Sequence, residues 1–167
     1  MPDECRLLWF VAFHLWDGVT GEGVEQAGVH RGHHGVCPFV VEDEFALWAV
    51  PVLEDGETVI ADSNAILVYL ANRYDEGNTW LPLDPVVTAE VQRFLSIAAG
   101  AVAFGPAAAR LVNVFGAALD HERAIELSRN VLGLLDSHLD GRDWLAGEAP
   151  TIADVANYAY IAHAPEG

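Results

Sequence analysis

The chain has 167 residues, 52% of them hydrophobic, and this is enough apolar matter for a buried core. Its 25 Asp and Glu against 8 Lys and Arg give a formal net charge of −17, which repels nucleic-acid phosphates and anionic lipid surfaces and makes both poor partners. Two cysteines, Cys5 and Cys37, are too few and too far apart for a disulfide scaffold or a CxxC redox pair, and the cytoplasm is the expected compartment.

Residues 1–45 hold no sustained helical or strand period, and Gly18, Gly21, Gly23, Gly28, Gly32 and Gly35 interrupt them. The apolar stretch Leu7 to Trp16 follows Asp3 and Glu4 and contains His14, so it reads as neither a signal peptide nor a membrane span. His30, His33, His34 and Cys37 offer metal-ligand chemistry. The glycines among them and the lack of a supporting helix favour a loop with no metal site. Glu42, Asp43 and Glu44 read as solvated surface charge.

The pattern sharpens at Val50. Val50 to Leu53 and Thr58 to Ile60 read as two short strands joined through Asp55-Gly56, since glycine tolerates the positive φ of a tight hairpin. Asp62 and Ser63 are both good helix caps, and Ile66, Tyr69, Leu70 and Tyr74 recur at helical spacing, predicting a helix over 63–74. Gly77, Asn78, Pro82 and Pro85 then mark residues 75–84 as a linker.

Everything after Pro85 reads as helix. Val86 to Phe115 is Ala-rich, with Gly105-Pro106 expected to bend or break it. Asp120 caps a second long helix, predicted to run antiparallel to the first. Ile125, Leu132, Leu135 and Leu139 are expected to share its buried face, with Gly141 just past its end. Thr151 and Asp154 form a capping box that opens a last helix. Phe104, Arg110 and Tyr158 are read as core or surface residues and not as part of a site.

Three stretches carry a family resemblance: Val50-Pro51-Val52-Leu53-Glu54-Asp55-Gly56, then Ile60 through Asp62-Ser63-Asn64-Ala65-Ile66 to Ala71, and finally Pro150-Thr151-Ile152-Ala153-Asp154-Val155-Ala156. In this order and spacing they resemble the glutathione transferase superfamily, particularly its bacterial members, over residues 46–167. The resemblance implies an α+β to mostly α chain: 46–76 as the remnant of a thioredoxin-like, glutathione-binding domain (a β-hairpin plus a helix), and 85–167 as an all-α C-terminal domain, shorter than the family's. Residues 1–45 stay unassigned, as a degenerate or frameshifted segment, and resequencing the gene tests the frameshift.

The same resemblance implies that Val50 and Pro51, joined by a cis bond, pair with the cysteinyl backbone of glutathione, and that Asp62 and Ser63 hold its γ-glutamyl carboxylate. It further implies glutathione as co-substrate, a small electrophile as second substrate, detoxification chemistry without a metal, and a homodimer. The family activates the thiol with a Tyr, Ser or Cys near the end of its first strand. Residues 1–45 contain no Tyr and no Ser, and neither cysteine follows a convincing strand, so the catalytic residue is unidentified. A non-catalytic binding or dimerisation module, or a degenerate gene product, is the alternative.

Overall fold

The computed structural model describes residues 51–167. Val52–Asp55 (β1) and Thr58–Ala61 (β2) form an antiparallel pair in the register Val52 to Ala61 and Asp55 to Thr58. The turn is the two-residue step Gly56-Glu57, with Gly56 at φ +63°, which an L side chain rarely adopts. The expected hairpin is present, but β1 runs two residues further than the sequence suggests. Leu53 and Ile60 sit opposite each other and pack on the core, and Asp55 shares their face.

Helix α1, Ser63–Tyr74, has the predicted bounds. Its buried stripe is Ile66, Leu67, Leu70 and Ala71, at i, i+1, i+4 and i+5. Tyr69 is only half-buried and Tyr74 is exposed. Both hydroxyls reach back to Oδ2 of Asp55 in the hairpin, Tyr69 at 2.7 Å. The two tyrosines therefore pin the turn of the small sheet onto α1. These bonds hold the Asp55 carboxyl below the usual carboxylate range, Tyr74 contributing most, and the same bonds push both phenols up.

The linker 75–84 contains no helix or strand, yet it is fastened at both ends. Asp75 accepts from the amides of Gly77 and Trp80, and the Trp80 carbonyl accepts from Ile152 N at 2.9 Å. Helix α2, Pro85–Ile97, starts where Asp84 accepts from the amides of Val86 and Val87, with Pro85 in the first turn, where its missing N–H costs nothing.

Of the bend or break expected at Gly105-Pro106, a break does not occur. Helical structure continues through a π-helical segment, Ala98–Ala107, into α3, Ala108–Phe115. The wider π turn moves the amide-to-carbonyl pairing along by one residue, which accommodates a proline that has no N–H to donate. Gly105 has a separate role: a Cβ there would lie 3.0 Å from the Ser128 amide nitrogen and 3.2 Å from the Leu127 carbonyl carbon. Its bare Cα lets the next helix lie directly on the π segment. By length and composition alone the run Pro85–Phe115 could cross a membrane, but its Val91, Phe94, Leu95 and Val102 are buried in the protein core.

Gly116 at φ +67° ends α3. Helix α4, His121–Leu139, is capped by Asp120, which accepts from Arg123 N at 2.9 Å, and packs on the π segment and α3. Its buried residues are Ala124, Ser128, Val131 and Leu135. The sequence placed Ile125, Leu132, Leu135 and Leu139 there, so the face is rotated from the expected one: Ile125 and Leu132 lie at its edge and Leu139 is exposed. Small residues meet at this face: Ser128 lies against Gly105, and Ala124 packs with Ala108 and Ala109 of α3. Gly141, at φ +73°, stands just past the helix end as expected.

Helix α5, Ile152–Ile161, opens on the predicted capping box. Thr151 Oγ1 accepts from Ala153 N at 3.2 Å, and Asp154 accepts from Thr151 N at 2.8 Å and from Leu145 N at 2.9 Å. A short 3₁₀ turn, Ala164–Glu166, follows, held to α3 by an Arg110–Glu166 ion pair. One apolar core runs through α1, α2, the π segment, α4 and α5, so the hairpin unit and the helices share their main packing surface.

Candidate functional site

The hairpin brings the two ends of the small sheet together. Asp62 N donates to the Pro51 carbonyl at 3.1 Å, so residues eleven apart in sequence become neighbours at the start of α1. Asp62 itself lies at φ 81°, ψ 130°, a conformation that costs a non-glycine residue about 1–3 kcal/mol. Its Oδ1 accepts from Ala65 N at 3.0 Å and its carbonyl accepts from Ile66 N at 3.0 Å. Asp62 is thus a true helix cap, and the strained backbone is held by the strand on one side and the helix on the other.

Ser63 is the first residue of α1 and is half-buried. Its hydroxyl has no hydrogen-bond partner among the described residues, and the first amides of a helix have no partner within it. A hydroxyl and the leading amides therefore meet at the positive end of the helix dipole, which suits an anion such as a carboxylate. The second carboxylate oxygen of Asp62, an exposed residue, makes no hydrogen bond among the described residues and can accept from a cation.

Of the four residues the sequence nominates, Pro51, Asp62 and Ser63 are gathered within this corner, and Val50 lies outside the described residues, as does the His30 to Cys37 stretch. Tyr158 and Phe104 are exposed, while Arg110 is largely covered and engaged with Glu166 and the ring of Phe115. Tyr160 on α5 was not singled out from sequence. Burial raises its phenol above the ordinary range, and the nearby Asp62 charge adds to the effect, so the hydroxyl remains a donor at neutral pH. No sequence signal marks it, because the proximity of α5 to Asp62 arises only on folding. Among the described residues no group of three or more His, Cys, Asp or Glu is placed to hold a metal ion.

Two family models match the chain and together span more than half of it: the glutathione S-transferase N-terminal domain over residues 30–78 and the C-terminal domain over 102–166. The first match begins at residue 30, earlier than the motif resemblance from 46. Glutathione S-transferase 2 of Anopheles gambiae is 33% identical over 118 residues, covering 69% of this chain and 56% of that protein. Elongation factor 1-gamma of Equus caballus is 32% identical over 117 residues, covering 67% of this chain and 25% of that protein.

Among solved structures, a glutathione S-transferase from Xanthobacter autotrophicus Py2 superposes with a TM-score of 0.61 at 34% identity, covering 70% of this chain and 58% of that one. A glutathione transferase homolog from Drosophila mojavensis with bound glutathione gives 0.60 at 29% identity, covering 68% and 52%. The chain spans about half the length of the curated transferases it matches. A β-hairpin leading into a capped helix and then a helical layer, matched by both domain models and by these structures, places this chain in the glutathione S-transferase superfamily.

Proposed function

We propose that the corner formed by Pro51, Asp62 and Ser63, together with Val50 next to it in sequence, binds glutathione, and that the protein transfers its thiolate to small electrophiles. The observation that carries this reading is the start of α1: a Ser63 hydroxyl, leading amides and a second Asp62 carboxylate oxygen that have no hydrogen-bond partner among the described residues. The amino-acid end of glutathione carries a carboxylate and an ammonium on one carbon, and this pair of donors and acceptor complements both. Pro51, bonded to Asp62, sets the edge along which the rest of the tripeptide would lie.

In the transfer itself the thiolate sulfur forms a new bond to an electrophilic carbon, and the leaving group departs with the electron pair. Binding glutathione in one orientation supplies the proximity part of that reaction. The compartment that fits such a substrate is the cytoplasm, and the family resemblance supports a homodimer.

Calorimetric titration of the full chain with glutathione tests the site. Binding in the micromolar to millimolar range, lost on Ser63→Ala in a protein that still melts cooperatively, is the expected result. No binding by a folded wild-type chain overturns it. A second reading, a non-catalytic module, is favoured by two observations: elongation factor 1-gamma, whose name is not that of a transferase, is about as similar as the transferases are, and residues 1–45 lack Tyr and Ser. Glutathione binding without turnover of any electrophile supports that reading.

A further inference from the structure

Where α2 widens into the π segment, the pairing of amides with carbonyls slips by one residue, and the carbonyls at the transition gain spare accepting capacity. The Ala98 amide is shared between Phe94 O and Leu95 O. Each of these carbonyls also takes a side-chain amide from a different helix. Asn157 of α5, 1% exposed, donates to Phe94 O at 3.1 Å and to Ala153 O at 2.8 Å. Asn64 of α1, half-buried, donates to Leu95 O at 2.9 Å. Two asparagines thus clasp α2 from either side at consecutive carbonyls.

Asn64 follows Ser63 directly, in the same first turn of α1. We propose that Asn64 is a positioning residue for the glutathione site: its bond to Leu95 O ties the first turn of α1 to the helical layer and fixes where the Ser63 hydroxyl and the leading amides point. This inference rests on the reading of Ser63 as a glutathione contact. Ile66 at the end of the first turn of α1 is buried, while Ser63 and Asn64 at its start are only half-buried. Polar capping by Asp62 sets the local backbone conformation. The Asn64 bond sets the position of that turn against α2.

The test compares three variants of the full chain by glutathione calorimetry, each followed by thermal melting. Asn64→Ala is expected to weaken glutathione binding about fivefold, as the binding-competent position of the first turn falls to about a fifth of the population. Asn64→Gln, which keeps the amide donor, is expected to recover part of it. Ile66→Val loosens the packing of the same helix without touching the bond, and Asn157→Ala removes the other half of the clasp. Both should leave the affinity within about twofold even where the melting temperature falls further than in Asn64→Ala. If Asn157→Ala does not fold, Ile66→Val alone carries the control. Wild-type affinity in Asn64→Ala, or equal weakening in Ile66→Val, overturns the positioning role while leaving the site reading intact. A folded wild-type chain that binds no glutathione overturns both.

Discussion

The hairpin, with the first turn of α1, and the helical layer share one apolar core but differ in how much polar bonds add to it. Two four-residue strands cannot stand alone in water, and the small sheet packs Leu53 and Ile60 on the core and is further fastened by individual polar bonds: Asp55 to Tyr69 and Tyr74, Asp62 N to Pro51 O, and Asp62 Oδ1 to Ala65 N. The helical half is held by close packing around Phe94, Val91, Val102 and Ile152, each essentially inaccessible to water. The candidate site lies where the hairpin meets the start of α1, at the exposed and half-buried residues that polar bonds fix. Substitutions there should change binding more than folding, and substitutions in the helical half should do the reverse.

The largest effect should come from the core. Phe94→Ala removes a fully buried ring that also lies tilted against the His138 ring, 4.7 Å between centroids, and is expected to lower stability by about 3–5 kcal/mol in denaturant titration. A loss below about 1 kcal/mol would show that the helical layer is not the packed half. Next comes the start of α5. Asp154→Ala leaves the Thr151 and Leu145 amides without their acceptor and should cost about 2 kcal/mol. Glutathione affinity in the folded fraction should be unchanged, and a large fall would break the separation between the two halves.

The smallest effect concerns the tyrosine clasp on Asp55. Its carboxyl is held below the usual range, so the stability it contributes is present above the ordinary aspartate value, about 4, and is lost as the pH falls through the lowered one. The raised phenols contribute in the opposite sense: their share is present below about 10 and is lost as the pH rises through their raised values. Tyr69→Phe combined with Tyr74→Phe should flatten both limbs of the melting temperature against pH. The effect is small because these groups face solvent. Unchanged limbs in the double variant would assign them to other groups.

Much of the local structure was legible because it depends on neighbours in sequence. The bounds of α1 follow from Asp62-Ser63 and the apolar repeat after it, and the start of α5 follows from Thr151 and Asp154 three residues apart. Gly141 at the end of α4 is the same kind of signal. Of the site, Pro51, Asp62 and Ser63 were nominated by resemblance, and the cap at Asp62 by composition alone.

What could not be read depends on which surfaces meet. The buried face of α4 differs from the expected one because it meets small residues, Ser128 lying against Gly105 and Ala124 against Ala108 and Ala109, while Leu139 stays exposed. A proline within a helical run signals a break, and only the packed structure shows the π segment absorbing it. The bond of Asn64 to Leu95 O and the nearness of Tyr160 to Asp62 exist only once α2 and α5 are set beside α1. The sequence by itself determined the caps, the turn glycines and the helical stretches, because each is decided by atoms within a few residues. Tertiary structure decided the strained corner at Asp62, the clasp on Leu95 and the buried face of α4, because these are set by contacts between segments distant in the chain.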